Sequence, residues 1–152
     1  MLFYFIYFNF KNYSLDLHAD ALLWSHRPLL TRVPYGHVDV ERLIEGNVAL
    51  QVFGLVTSSP KGQNVEKNYA PGLHNDSITL LALAQRWGLP AIVSTTERAL
   101  AQARHLHEKA AASNGTLVVV EKKHDLAKAI QKHLAKQKTV AGVLGYVFDS
   151  YF

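Results

Sequence analysis

Two residue types that hold metal ions stand two positions apart near the start of the chain. They are His18 and Asp20, in the stretch Ser14-Leu15-Asp16-Leu17-His18-Ala19-Asp20. The stretch reads as a β-strand, whose side chains alternate between two faces. Leu15, Leu17 and Ala19 then point one way, and Asp16, His18 and Asp20 the other. His18 and Asp20 would lie roughly 6–7 Å apart at their Cα atoms. An imidazole nitrogen and a carboxylate oxygen are both good zinc donors. Polar residues at the carboxyl ends of strands in α/β folds form the mouth where ligands bind. The predicted metal ligands are therefore His18 and Asp20, with Asp16 as a buried neighbour that supports them.

Other polar groups fall short of a site. His37-Val38-Asp39 precedes a short apolar-patterned segment, where Asp39 serves as an N-cap and His37 packs or faces solvent. His105 and His107 are two apart on a predicted helix, hence on different faces. His124 and His133 lie in a basic helical region, and His26 and His74 in loops. No Ser-His-Asp order, glycine-rich phosphate loop or pair of catalytic carboxylates stands out. No residue is assigned a catalytic role.

The elements that position His18 and Asp20 are read from periodicity and punctuation. Asp39 and Gly46 bracket a short helix. Val48 to Thr57 is almost continuously apolar, which suits a buried parallel strand. A long loop runs from Ser58 to Asn75. A helix capped by Asp76 or Ser77 follows, through Trp87, with Ile78, Leu81 and Leu80 or Ala84 as its apolar side. Gly88-Leu89-Pro90 ends it. Thr95 or Thr96 opens the next helix, with the stripe Leu100, Ala103, Leu106 and Ala110, stopped at Asn114-Gly115. Leu117 to Val120 is a short strand. Asp125 to about Gln137 is a helix with Leu126, Ile130 and Leu134 on one face and a solvated stripe of Lys128, Lys132 and Lys136. Thr139 to Gly145 is the last buried strand. Strands alternating with helices predict a parallel α/β sheet of about four strands.

The chain has 152 residues, a formal charge of +4 and no cysteine. That length supports one domain with a real core. The absence of cysteine excludes a disulfide framework and a thiolate zinc site. The basic residues do not interleave with aromatics, which argues against a nucleic-acid partner. Aromatics crowd the ends: seven lie in residues 1–13 and four in 146–152, leaving Trp24, Tyr35, Phe53, Tyr69 and Trp87 between. The first 13 residues lack a basic region and a small-residue cleavage site, and are too short to span a bilayer. A cytoplasmic protein with no membrane span is expected.

Several stretches together resemble one family. DLHADALLW, GHVDVERLIEGNVALQVFGLVTSSPKGQN, LLALAQRW and ERALAQARHLHEKAAASNG, in this order and spacing, are similar to the membrane (renal) dipeptidase family of metallopeptidases. The resemblance implies a (β/α)8 TIM-type barrel of amidohydrolase type with two zinc ions at its mouth, hydrolysing dipeptides. It implies that His18 and Asp20 bind one zinc. In the family a glutamate in a Gly-Ile/Val-Glu-Gly context bridges both metals, and two later histidines hold the second. Here Gly142-Val143-Leu144-Gly145 is followed by Tyr146-Val147-Phe148-Asp149. The bridging glutamate and the later ligands have no counterpart, and Asp149 is out of position.

The expected organisation is an aromatic extension over 1–13, a partial metallo-dipeptidase barrel over 14–145, covering roughly its first third to half, and a tail over 146–152 outside the resemblance. The expected function is that of a fragment of a zinc dipeptidase, inactive alone. The alternative is a small non-enzymatic α/β module that binds a protein partner, or itself, through an open sheet edge.

Overall fold

The computed structural model describes residues 7–10, 13–62 and 76–146. Most of the loop expected over 58–75, including His74, and the tail from Val147 lie outside the described residues. The strands are β1 (Tyr7–Phe10), β2 (Tyr13–Ala19), β3 (Val48–Leu55), β4 (Leu117–Val119) and β5 (Val140–Tyr146). The helices are α1 (Val40–Glu45), α2 (Ser77–Ala84), α3 (Pro90–Val93), α4 (Thr95–Ala112) and α5 (Lys123–Leu134), with a 3-10 turn at Ala21–Leu23.

The strands form one sheet in the order β1-β2-β3-β5-β4. β2, β3, β5 and β4 are mutually parallel, as the alternating pattern predicts, and β1 pairs antiparallel with β2. Part of the stretch read as an extension is thus built into the sheet: Tyr7 lies opposite Asp16 and Phe10 opposite Tyr13. The two most apolar strands, β3 and β5, are central, where both faces are covered.

Side-chain alternation along β3 separates two cores. Phe53 and Leu55 pack with Leu117 and Val140 beneath Leu22 of the 3-10 turn, Val40 and Leu43 of α1, and Leu106 of α4. Leu50, Val52, Ala141 and Val143 face the other way, against Ala129 and Leu126 of α5. Helices cover both faces of an open sheet. A (β/α)8 barrel instead keeps its helices on one side and its strands in chain order. Here β5 lies between β3 and β4, because its apolar residues on both faces need cover on both.

The local signals act largely as expected. Asp39 is buried and its carboxylate accepts the Arg42 N–H at 2.8 Å. The Arg42 guanidinium pairs with the same carboxylate and donates to the Val33 carbonyl at 2.7 Å. Removing this cap by Asp39→Ala is expected to cost about 1–2 kcal/mol, read as a lower urea midpoint. Asp39→Asn, which keeps an acceptor for the Arg42 N–H, should recover most of that loss. An unchanged midpoint for Asp39→Ala would show that the cap contributes nothing.

The helical stripes differ from the expectation in an instructive way. On α2 the buried residues are Ile78 and Ala82, while Leu80 and Leu83 are exposed. The helix ends at Ala84 rather than Trp87. Pro90 then begins α3 instead of only ending what precedes it, as its fixed φ and missing N–H permit at a first turn. On α4 the buried line is Arg98, Gln102 and Leu106, and Leu100 is exposed. On α5 it is Ala129 and His133, with Leu134 exposed.

Those buried polar residues are satisfied. Gln102 donates to the Val56 carbonyl at 2.9 Å and accepts the Val56 N–H at 3.2 Å, extending the β3 ladder where the strand ends. His133 Nδ1 lies 2.8 Å from the Thr139 carbonyl and Nε2 lies 3.0 Å from Asn47 Oδ1. A carbonyl only accepts, so Nδ1 carries the proton toward Thr139, and Nε2 accepts from the Asn47 side-chain amide when its NH2 end is turned to the ring.

Arg98 uses all five of its N–H groups. Nε donates to the Ala91 carbonyl at 2.7 Å, Nη1 to the Thr57 carbonyl at 2.8 Å and to Asp76, and Nη2 to Thr79 Oγ1 at 2.7 Å and the Ile92 carbonyl at 3.0 Å. The two charged side chains are fully buried. Asp76 also accepts the N–H groups of Ser59 at 2.5 Å, Ile78 at 3.2 Å and Thr79 at 3.2 Å. The pair ties the exit of β3 to α2, α3 and α4.

Candidate metal centre

His18 is the penultimate residue of β2, and Asp20 lies just past its end, where the 3-10 turn begins. The expected alternation is broken between them. Asp16 lies opposite Gln51 and Ala19 opposite Phe53, so three steps on β2 match two on β3. That is a bulge, which re-aims the side chains at a strand end. Ala19, expected to point away from Asp16, is on its side of the sheet. Asp16 is buried, and its Oδ1 accepts the His18 backbone N–H at 3.1 Å. It supports His18 through the main chain, by the short side-chain-to-backbone contact that aspartate favours at bends.

The bulge does not separate the two predicted ligands. His18 Nε2 and Asp20 Oδ1 are 3.0 Å apart. Two donors bound at about 2.0–2.2 Å to a tetrahedral zinc stand roughly 3.3–3.6 Å from each other, so the pair would open slightly to take the ion. Although His18 is within reach, Asp20 Oδ1 is buried without a hydrogen bond of acceptable geometry. The ring nitrogen and the carboxylate oxygen approach closely without an in-line hydrogen bond. Burial pushes the Asp20 carboxyl above the usual carboxylate range, against the opposing effect of His18. A buried carboxylate of this kind is stabilised by a cation, which displaces its proton.

The carboxyl edge of the sheet holds further polar groups. Thr57 Oγ1, after β3, and the Tyr146 hydroxyl, at the end of β5, are 3.3 Å apart. The other histidines lie elsewhere. His37 is exposed, His107 is 3.8 Å from Glu121, and His124 is 3.0 Å from Asp125. Among the described residues no three His, Cys, Asp or Glu side chains converge on a point that could hold a metal. Among them also, no helix is long and apolar enough to cross a membrane.

Comparison with family models, with characterised proteins and with solved structures found no match to this chain. The spacing argument found His18 and Asp20. It missed Arg98, Gln102 and His133, whose burial hydropathy does not reveal. The sign that was available is Asp76: an acidic cap buried at a helix start needs a basic partner, and Arg98 lies on the next long helix.

Proposed function

We propose that the chain carries one half of a binuclear zinc site of dipeptidase type, with His18 and Asp20 as its ligands. The supporting observation is the 3.0 Å approach of His18 Nε2 and Asp20 Oδ1, with that buried oxygen lacking an in-line donor. Zinc held there supplies Lewis-acid polarisation of a peptide carbonyl. The chain's own residues do the rest: His18 presents a ring nitrogen, Asp20 a carboxylate, and Asp16 holds the main chain at His18. The substrate class in this reading is a dipeptide. Catalytic zinc takes three protein ligands and an open position, and two donors converge here, so the chain alone binds zinc weakly and does not turn over.

In this reading β2, β3 and β5 are consecutive strands of a (β/α)8 barrel, and β4 is a short addition at the edge. The reading rests on the ligand pair and the order of segments, since an open sheet covered on both faces is not itself a barrel.

The expected result is weak zinc uptake by calorimetry at neutral pH, lost in His18→Ala, with hydrolysis of dipeptides at background. Zinc uptake unaffected by His18→Ala, or robust zinc-dependent turnover, would overturn the proposal.

A second reading is favoured by the edges. β4 pairs only with β5, along Leu117 to Val119, and its other side is a free strand edge among the described residues. A partner strand, or a second copy, adds to such an edge. Light scattering distinguishes the two: concentration-dependent association favours edge pairing, and a monodisperse monomer opposes it.

A further inference from the structure

A cleft of about 180 Å3 opens between the turn after β2, the end of α2 and one face of α4. From α4 come Ala101, Arg104, His105 and Glu108, which share a face at i, i+3, i+4 and i+7. Arg86 and Trp87, beyond the end of α2, form a second wall. The walls are fastened to each other. The Ser25 hydroxyl lies 3.1 Å from the Gln85 carbonyl and 2.9 Å from Gln85 Oε1, either of which it can donate to. The cleft is therefore preformed.

Its charge is unbalanced. Two guanidinium groups, Arg86 and Arg104, face one carboxylate, Glu108. Among the described residues neither arginine has a carboxylate within ion-pair distance. Both arginines are exposed. Arg86 adopts φ +55°, the left-handed conformation that also follows the ends of α4 at Asn114 and α5 at Lys136. His105 does not add a third charge: burial, helped by Lys109, pushes its pKa down. Guanidinium groups recognise carboxylate and phosphate through paired charge-assisted hydrogen bonds. Trp87 offers apolar surface beside them.

We propose that this cleft binds a small organic oxyanion, a carboxylate or a phosphate monoester, with Arg86 and Arg104 on the acidic head and Trp87 against the apolar part. The volume lies below the roughly 300–1,000 Å3 of pockets for drug-sized ligands, which restricts the occupant to a small metabolite. The proposal does not depend on the metal half-site.

Trp24 and Trp87 are the two tryptophans, so a Trp24→Phe background makes Trp87 the reporter. Benzoate, phenyl phosphate and neutral benzyl alcohol are titrated at constant ionic strength, following Trp87 fluorescence. Saturable change with benzoate, phenyl phosphate or both is expected, and the stronger of the two identifies the head group. Arg104→Gln should weaken binding roughly ten- to a hundredfold, as loss of charge-assisted hydrogen bonds implies, with the melting temperature unchanged. Arg86→Lys, which keeps the charge and loses the planar fork, should weaken it less. No saturable change with either anion, equal affinity for benzyl alcohol, or full affinity in a folded Arg104→Gln protein would overturn the proposal.

Discussion

Replacing Arg98 by methionine is expected to destabilise the fold by about 3–5 kcal/mol at pH 7. The size follows from what is left behind. Asp76 would keep a charge in a fully buried position, and the carbonyls of Thr57, Ala91 and Ile92 would lose their donors. Domains of this kind have about 5–15 kcal/mol in total, so the variant should be largely unfolded at modest urea. A wild-type midpoint would show that the buried pair contributes nothing.

The pH dependence provides an independent check. Burial alone would raise the Asp76 carboxyl, but the N–H of Ser59, the Arg98 guanidinium and the N–H of Ile78 outweigh it, and the group titrates below its ordinary range. A carboxyl lowered in the folded state binds its proton more readily when unfolded. Its stabilisation is therefore full above the unfolded value of about 3.9 and lost as pH falls through the lower folded value. In Arg98→Met the same carboxyl keeps its donors from Ser59, Ile78 and Thr79 but loses the guanidinium, so it is held down less. The gap in stability between wild type and variant should narrow as pH falls below about 4. A gap that widens in acid would contradict the assignment.

Phe53→Ala is expected to cost a similar amount, about 3–5 kcal/mol. Phe53 is fully buried on a central strand, with Leu22, Leu106 and Leu117 in its core. The ring lies over Gly142 of β5, the residue opposite Gln51, where a Cβ would stand 3.3 Å from the Phe53 ring and 3.2 Å from Leu117. The ring occupies the space that a side chain at 142 would take. Truncation leaves a cavity between the sheet and the covering Leu22 and Leu106, and the hydrogen-bonded strands beneath it resist collapse. Phe53→Leu should cost distinctly less. A loss under about 1 kcal/mol for Phe53→Ala would mean that the site refills, contrary to the packing described.

The succession of elements was legible because its signals are local. Asp39, Asp76 and Asn114-Gly115 mark helix ends by backbone chemistry that acts within a turn, and VALQVFGLVT is apolar on both faces because β3 is covered on both. The strand order was not legible, since pairing between segments some ninety residues apart leaves no trace in periodicity. Buried Arg98, Gln102 and His133 were hidden for a different reason: hydropathy treats polar side chains as solvent-facing, whereas these are paired with main-chain groups at strand ends. At the site, the spacing of His18 and Asp20 was sufficient to bring them together. The bulge after Asp16 was not visible, and it changes how Asp16 takes part.

The His133 ring has a consequence for how the sheet is assembled. It bonds at one nitrogen to Thr139, immediately before β5, and at the other to Asn47, immediately before β3. It therefore works as a register key. Parallel strands this uniformly apolar can slide by two residues and still bury their side chains, since the period of a strand is two. Any such slide would move Asn47 and Thr139 out of reach of a single imidazole. One polar side chain, delivered by a helix on the outside, thus selects which of several equally greasy alignments the two central strands adopt.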